Sequence, residues 1–460
     1  TPLALRTLAA DGTSSSLTVA DPNMRTPKVN MWGVSFEREL MKNTVFSLTY
    51  NGRHGVGLYG AYNTNQADFR NNGFLTEFLR IKANPAYDSA LFTQLFAADT
   101  RKGAQTATAW ARSQFSTAFA QNSVAGLAQT ISTSVCTAST CTAGNAGRSL
   151  LAASGVPLTF FQPFSQVRAG MIVLDTMDYS NYHSLTAQIQ RRFTNGLLYQ
   201  FSYTWSKSLD VRSFDPTFTI ASFTGGAGQA SASTPFDKGN PRLNYAPSDL
   251  DRTHVFQSSW VYELPFGNGR RFGRNLNRGL DLIVGGWSFS GSATYQTGRP
   301  FTVYGGSSTM SSVNQTPASC TGPCDPYVGA VERIPTSTSN HQFYFNAPGA
   351  FNSTTNCRAL ADGSQLCIPA AGEFSNIGRN YFRYPIYANL DLSLGKDFRI
   401  IEGHNLQARM QMQNATNSQM YDFVGSFNVQ SGVFGRLLQS SDGVAGNDRR
   451  RIQLALRYTF

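Results

Sequence analysis

"SLTAQIQRRFTNGLLYQFSYTWSKSLD", residues 184–210, alternates on both sides of a turn. Leu185, Ala187, Ile189 and Phe193 are interleaved with Thr186, Gln188, Gln190 and Arg192. After Thr194-Asn195-Gly196, Leu197, Tyr199, Phe201, Tyr203 and Trp205 are interleaved with Gln200, Ser202, Thr204 and Ser206. Successive side chains of a strand point to opposite faces. Asn-Gly supplies the positive φ angles of a tight hairpin turn. The stretch therefore predicts two antiparallel strands with one aromatic, apolar face and one hydroxyl and amide face.

The same pattern recurs along the chain. Trp32, Val34 and Phe36 alternate with Gly33, Ser35 and Glu37, and Phe46, Leu48 and Tyr50 with Ser47, Thr49 and Asn51. Trp287, Phe289, Ala293 and Tyr295 alternate with serines, Thr294 and Gln296; Ile386, Ala388, Leu390, Leu392 and Leu394 with Asn389, Asp391 and Ser393. Leu406, Ala408, Met410 and Met412 follow, and "LALRYTF" (454–460) ends the chain on the same alternation; 254–264 is a weaker case around Phe256, Trp260 and Tyr262. A soluble sandwich also alternates. Its solvated face favours Lys and Glu, which are nearly missing from these polar positions. The strands are also about ten residues or longer, as a tilted crossing of a bilayer requires.

Composition points the same way. Charged residues make up 14% of the chain and aromatics 12%, where a soluble domain carries roughly 25% charged residues. No stretch approaches the roughly 18 consecutive apolar residues of a membrane helix, so a membrane reading requires strands. Aromatics gather toward strand ends (Trp32, Tyr203, Trp205, Trp287, Tyr458, Phe460), as interfacial girdles do. The net charge of +11 is spread without dense Lys/Arg runs. It fits general solubility or lipid phosphates, and nucleic acid is not expected as a partner.

Connections alternate in length. Short turns are expected at 41–43, 194–196 and 400–404, with a medium one at 265–285. Long segments are expected at 54–180, 209–250, 300–385 and 417–450. Short periplasmic turns and long extracellular loops are the asymmetry of outer-membrane barrels. All six cysteines lie in the long segments as close pairs: Cys136 with Cys141, Cys320 with Cys324, and Cys357 with Cys367. The intervals do not match paired C-x-x-C zinc spacing and no His lies nearby. Three local disulfides in an oxidising compartment are expected. In "NNGFLTEFLRIKAN" (71–84), Phe74, Leu75, Phe78 and Leu79 predict an amphipathic helix, with Asn71 or Asn72 as N-cap.

Counting back from a periplasmic Phe460, nine strands reach about residue 29. Complete bacterial barrels have an even strand number. The odd count predicts that 29–40 and 451–460 are open edges and that residues 1–28 are an extracellular loop remnant. The chain begins Thr1-Pro2-Leu3; either a leader has been removed or it is part of a longer chain.

The segments at 181–210, 248–267 ("SDLDRTHVFQSSWVYELPFG"), 285–303 ("GGWSFSGSATYQTGRPFTV") and 451–460 ("RIQLALRYTF") together resemble the barrel half of Oar-like TonB-dependent outer-membrane receptors. "WGVSFEREL" (32–40) and "NNGFLTEFLRIKAN" extend the likeness from about residue 28 to the end. The resemblance implies an all-β fold in which 29–460 is the C-terminal portion of a larger, 22-stranded antiparallel transmembrane barrel in the bacterial outer membrane. It also implies an N-terminal plug, a TonB box that couples the plug to the TonB complex, and often a carboxypeptidase-regulatory-like domain, none of which is visible in these residues. It further implies that Tyr458 and Phe460 form a C-terminal signal read by the barrel-assembly machinery. The function it implies is uptake of a scarce or bulky ligand (siderophore, oligosaccharide or peptide). The alternatives are a passive porin-like channel and a structural or adhesive surface protein.

No enzymatic chemistry is expected. The five histidines are scattered, and zinc-protease, nucleophile-elbow and phosphate-loop patterns are missing. "GGAGQ" (225–229) reads as a loop, and no cofactor or metal is expected. Glu263, Asp391, Arg409 and Arg457 are expected to face the lumen, lining a path or holding a plug or one another. Arg449, Arg450 and Arg451 are candidates for lipopolysaccharide phosphates, or for a solvated charged rim.

Overall fold

Asn195 and Gly196, at φ 53° and 78°, close the hairpin that the alternation predicts. The computed structural model describes residues 16–168, 170–213, 235–327, 332–335, 340–343, 345, 349–401, 404–418, 421–424, 426–439 and 449–460. The 225–229 glycine loop and most of residues 1–28 lie outside them.

Nine long strands run in sequence order through one antiparallel sheet. They are β1 (Lys28–Met41), β2 (Thr44–Asn63), β3 (Gly170–Thr194), β4 (Leu197–Asp210) and β5 (His254–Glu263), then β6 (Trp287–Gln296), β7 (Tyr387–Ile401), β8 (His404–Gln413) and β9 (Arg451–Thr459). Ser16–Ala20 joins the start of β3 in parallel, and Ala246–Pro247 joins the end of β4. The sheet does not close: among the described residues β1 pairs only with β2, and β9 only with β8.

β2 runs to Asn63 and β3 starts at Gly170. Both continue past where the apolar alternation fades, so the first long connection is 64–169 rather than 54–180. Its described residues form six α-helices: α1 (Phe74–Ala83), α2 (Ala90–Leu95), α3 (Ala107–Gln114), α4 (Ser116–Ala120), α5 (Val124–Thr133) and α6 (Leu150–Ala153). The α1 N-cap is Gly73 at φ 79°, not an asparagine, and Asn72 instead accepts the Phe74 N–H through its side chain. Phe74, Phe78 and Ile81 are buried, while Leu79 is 44% exposed. The i, i+3 partner Ile81 takes the place expected of Leu79 because the face is set by packing against α4 and α5.

Two apolar cores stand at the long-connection end. One joins Phe74, Phe78, Phe92, Phe96, Trp110 and Ile131 of the helical segment. The other gathers Phe301, Val303, Phe345, Leu366, Phe382 and Val429 from distant parts of the chain. The segments interlock: Gln121 Nε2 donates to Gln430 Oε1 (2.7 Å) and Asn356 Nδ2 to the Ala120 carbonyl (2.7 Å). We call this assembly the cap.

All three local disulfides are present in the cap, and the cysteines pair as their spacing predicts. Cys136 bonds Cys141, Cys320 bonds Cys324 and Cys357 bonds Cys367. Cys136 and Cys141 are both buried in the helical core, beside α5 and α6. Their loop is tied by backbone bonds as well, since the Cys141 N–H donates to the Thr137 carbonyl and the Cys136 N–H to the Arg148 carbonyl. Cys357 and Cys367 stand directly opposite each other on neighbouring short strands.

Candidate functional site

The register turns the alternation into rows. One row across seven strands reads Phe36, Leu48, Ala187, Tyr203, Phe256, Tyr295 and Ala388. The neighbouring row on the other face reads Glu37, Ser47, Gln188, Ser202, Gln257, Thr294 and Asn389. No protein core covers the apolar face among the described residues. Leu454 is 76% exposed and Phe460 89%, a surface that a soluble monomer does not sustain over so wide an area. Tyr–His pairs mark the ends of this face: Tyr203 Oη lies 2.8 Å from His254 Nδ1, and Tyr458 Oη 2.6 Å from His404 Nδ1.

The polar face carries the expected inward residues. Cross-strand partners share a face, and the pairings Glu263–Ser288, Ser288–Gly395, Gly395–Arg409 and Gln407–Arg457 put Glu263, Arg409 and Arg457 on the face of Asp391 and Asn389. The structure does not gather them into one cluster. Glu263 is ion-paired with Arg270 at 2.8 Å, at the short-turn end. Arg409 donates to Gln407 Oε1 (3.4 Å). Asp391 accepts from Asn389 Nδ2 and from the Asn414 N–H at the other end of the sheet.

Arg449 and Arg451 join Tyr387, Asn389, Asp391 and Gln413 around a recess of about 170 Å³ on this polar face. Of the arginine triplet, Arg450 lies outside it, its backbone N–H held by Asn417 Oδ1. A larger recess of about 410 Å³ opens at the short-turn end among Glu37, Glu39, Ser47, Gln188, Gln190 and Arg192.

Where cap meets sheet, the structure holds an ionic cluster that sequence reading missed. Arg379, nearly fully buried, donates to Asp210 Oδ1 (2.5 Å), to the carbonyls of Asp210 and Asn244, and to Asp249 (3.5 Å). Arg383 pairs with Asp251 at 2.7 Å, and Arg212 with Asp178 at 2.6 Å. Burial raises the Asp249 carboxyl above its ordinary range, and the Arg379 charge pulls it partly back. The only local signal was charge density: "DLDR" (249–252) and "GRNYFR" (378–383) stand out in a chain poor in charge. Beside the cluster lies a cavity of about 310 Å³ lined by Tyr245, Tyr327, Tyr381, Arg379 and Arg383. Among the described residues no three His, Cys, Asp or Glu side chains are placed to hold a metal ion.

The family model described as "Outer membrane beta barrel domain" matches residues 2–453. No curated protein matches the sequence. Among solved structures, the outer membrane transporter YddB from Escherichia coli aligns over 97% of this chain and 34% of its own, at 7% identity and a TM-score of 0.35. A Pseudomonas aeruginosa FadL homologue aligns over 94% of this chain and 67% of its own, at 10% identity and a TM-score of 0.17. The chain thus spans about a third of the length of the first.

Proposed function

The chain belongs to the outer membrane beta barrel domain family, and from that premise we propose that it supplies nine wall strands and the extracellular cap of a TonB-dependent, Oar-like uptake receptor. The observation that carries the reading is the two-faced wall, apolar row against polar row, crowned at one end by a cap whose two cores draw on three of the four long connections. The apolar face meets lipid and the polar face lines a lumen. Short turns lie in the periplasm and the cap lies outside. Every residue of β1 and β9 is exposed. An open edge in hydrocarbon leaves backbone groups unpaired at several kcal/mol each, so further wall strands join there.

The cap and its cavities select the ligand, and the polar face conducts it when a plug energised through TonB moves aside. No covalent chemistry is involved. Tyr458 and Phe460 present the assembly signal on the outer face of the last strand, and Arg450 remains a candidate for lipopolysaccharide phosphate.

The test is uptake of a panel of siderophores, oligosaccharides and peptides by cells with and without the gene, in TonB-intact and TonB-deficient backgrounds. Gene-dependent uptake that vanishes without TonB is expected. Uptake that survives loss of TonB would mean a passive channel. Loss of surface attachment with uptake intact would mean an adhesive role.

A further inference from the structure

The connection from β5 to β6, residues 264–286, is longer than the other short-end turns and is built differently. It carries Arg270, Arg271, Arg274 and Arg278 against a single acid, Asp281. Asp281 is engaged, accepting the Asn268 N–H at 2.6 Å, and the neighbouring Glu263 is paired with Arg270. Arg271 lies over the Phe272 ring, 5.5 Å from its centre.

The connection ends in α7 (Arg278–Val284), capped by the Asn277 side chain. Trp287 Nε1 donates to the Ile283 carbonyl (2.9 Å), and Lys396 Nζ donates to the Ile283 and Gly285 carbonyls. Trp287 and Lys396 are register partners on the apolar face of the sheet. The helix is therefore pinned to the lipid side of the wall, at the level of the short turns. Leu280, Leu282 and Val284 are exposed, Ile283 is 69% exposed and Phe272 51%. This apolar surface continues the band formed by Phe289 and Trp260.

We propose that residues 264–286 form a binding site for anionic phospholipid headgroups in the leaflet at the short-turn end. Its arginines take the phosphates, and Ile283, Leu280 and Phe272 sit among the upper acyl carbons. Two observations select this occupant: the excess of arginines over acids, and the continuity of the helix with the lipid-facing band. Amphipathic basic segments bind such surfaces by adding apolar burial to attraction for anionic lipid. The proposal rests on the membrane reading above.

The test is native mass spectrometry of the full-length protein extracted from outer membranes, with added phosphatidylglycerol or phosphatidylcholine. Phosphatidylglycerol should be retained preferentially, and its retention should fall with rising ionic strength while that of phosphatidylcholine does not. The variant R271Q/R274Q/R278Q should lose on the order of a hundredfold in phosphatidylglycerol affinity, and Lys207→Gln, at the opposite end of the sheet, should lose none. Equal retention of the two lipids by the unaltered protein, or salt-insensitive retention of phosphatidylglycerol, overturns the proposal without need of the variants. Transport measurements in cells are read separately, so a failed lipid test leaves the uptake reading standing. A protein that does not fractionate with outer membranes would sink both.

Discussion

Arg379 joins two parts of the chain that have little else in common. Its guanidinium meets Asp210 at the end of β4 and Asp249 just before β5, while its backbone belongs to the cap. Taking one partner out of a buried ionic group leaves charge without compensation. Arg379→Met should therefore weaken cap docking by about 3–5 kcal/mol at neutral pH, read as faster proteolysis of cap segments in the membrane-inserted protein. The pH dependence has a definite sign. An acid whose folded pKa is raised binds more protons folded than unfolded, so stability falls as pH rises through the window above 3.8, the ordinary value. Without Arg379 the Asp249 carboxyl rises further, and the penalty should shrink as pH is lowered through that window. A penalty independent of pH would remove Asp249 from the explanation. Glycines matter elsewhere for a different reason. A Cβ on Gly52 would overlap the Trp32 indole, so the glycine is what lets Trp32 lie flat across the strand as an end-of-band aromatic.

At the scale of the element, each strand is specified by alternation and each short hairpin by its turn. Thr194 pairs with Leu197 around Asn195-Gly196, and from there the register carries Ile189 opposite Phe201 and Gln188 opposite Ser202. A one-residue slip would exchange the faces of the strand. The consequence is measurable. Phe201→Arg, near the middle of the apolar band, should destabilise insertion into vesicles by about 2–4 kcal/mol, while Gln200→Arg, on the polar face, should be tolerated. Equal effects at the two positions would refute the assignment of faces. The helices of the cap were less legible. α1 was recognisable from its apolar spacing, but its buried face was set by α4 and α5 packing on it from further along the chain.

The whole molecule divides into a wall held by backbone pairing and a cap held by two apolar cores and three disulfides. Each part has its own source of order, so they should respond separately. Closing a small loop adds on the order of 2–3 kcal/mol in the chain-entropy account. The Cys320–Cys324 and Cys357–Cys367 bonds bracket a small sheet whose strands are two or three residues long. Reduction should make the 297–386 segment protease-sensitive while the strands of the wall stay protected by lipid. The Cys136–Cys141 bond is packed inside the helical core, so it should be the slowest of the three to reduce. Wall strands digested at the same rate as the cap would show that the two are one cooperative unit.

The nine strands, their faces, the disulfide partners and the end at which the long connections gather could all be read before any fold was known. A strand's period of two, a turn's need for positive φ and the proximity of paired cysteines such as Cys136 and Cys141 are local properties. The cap and its ionic junction are products of tertiary packing. Phe301 packs on Phe382 and Phe427, and Thr302 and Asn380 hydrogen-bond at 3.0 Å in the interior, far from each other in the chain and without any period to announce them. Polar residues there are buried because distant segments satisfy them, and only the folded chain brings those segments together. The arginines of the polar face show the same division. Alternation placed Arg409 and Arg457 on that face, but only the meeting of β7, β8 and β9 put Arg451 in one recess with Asp391.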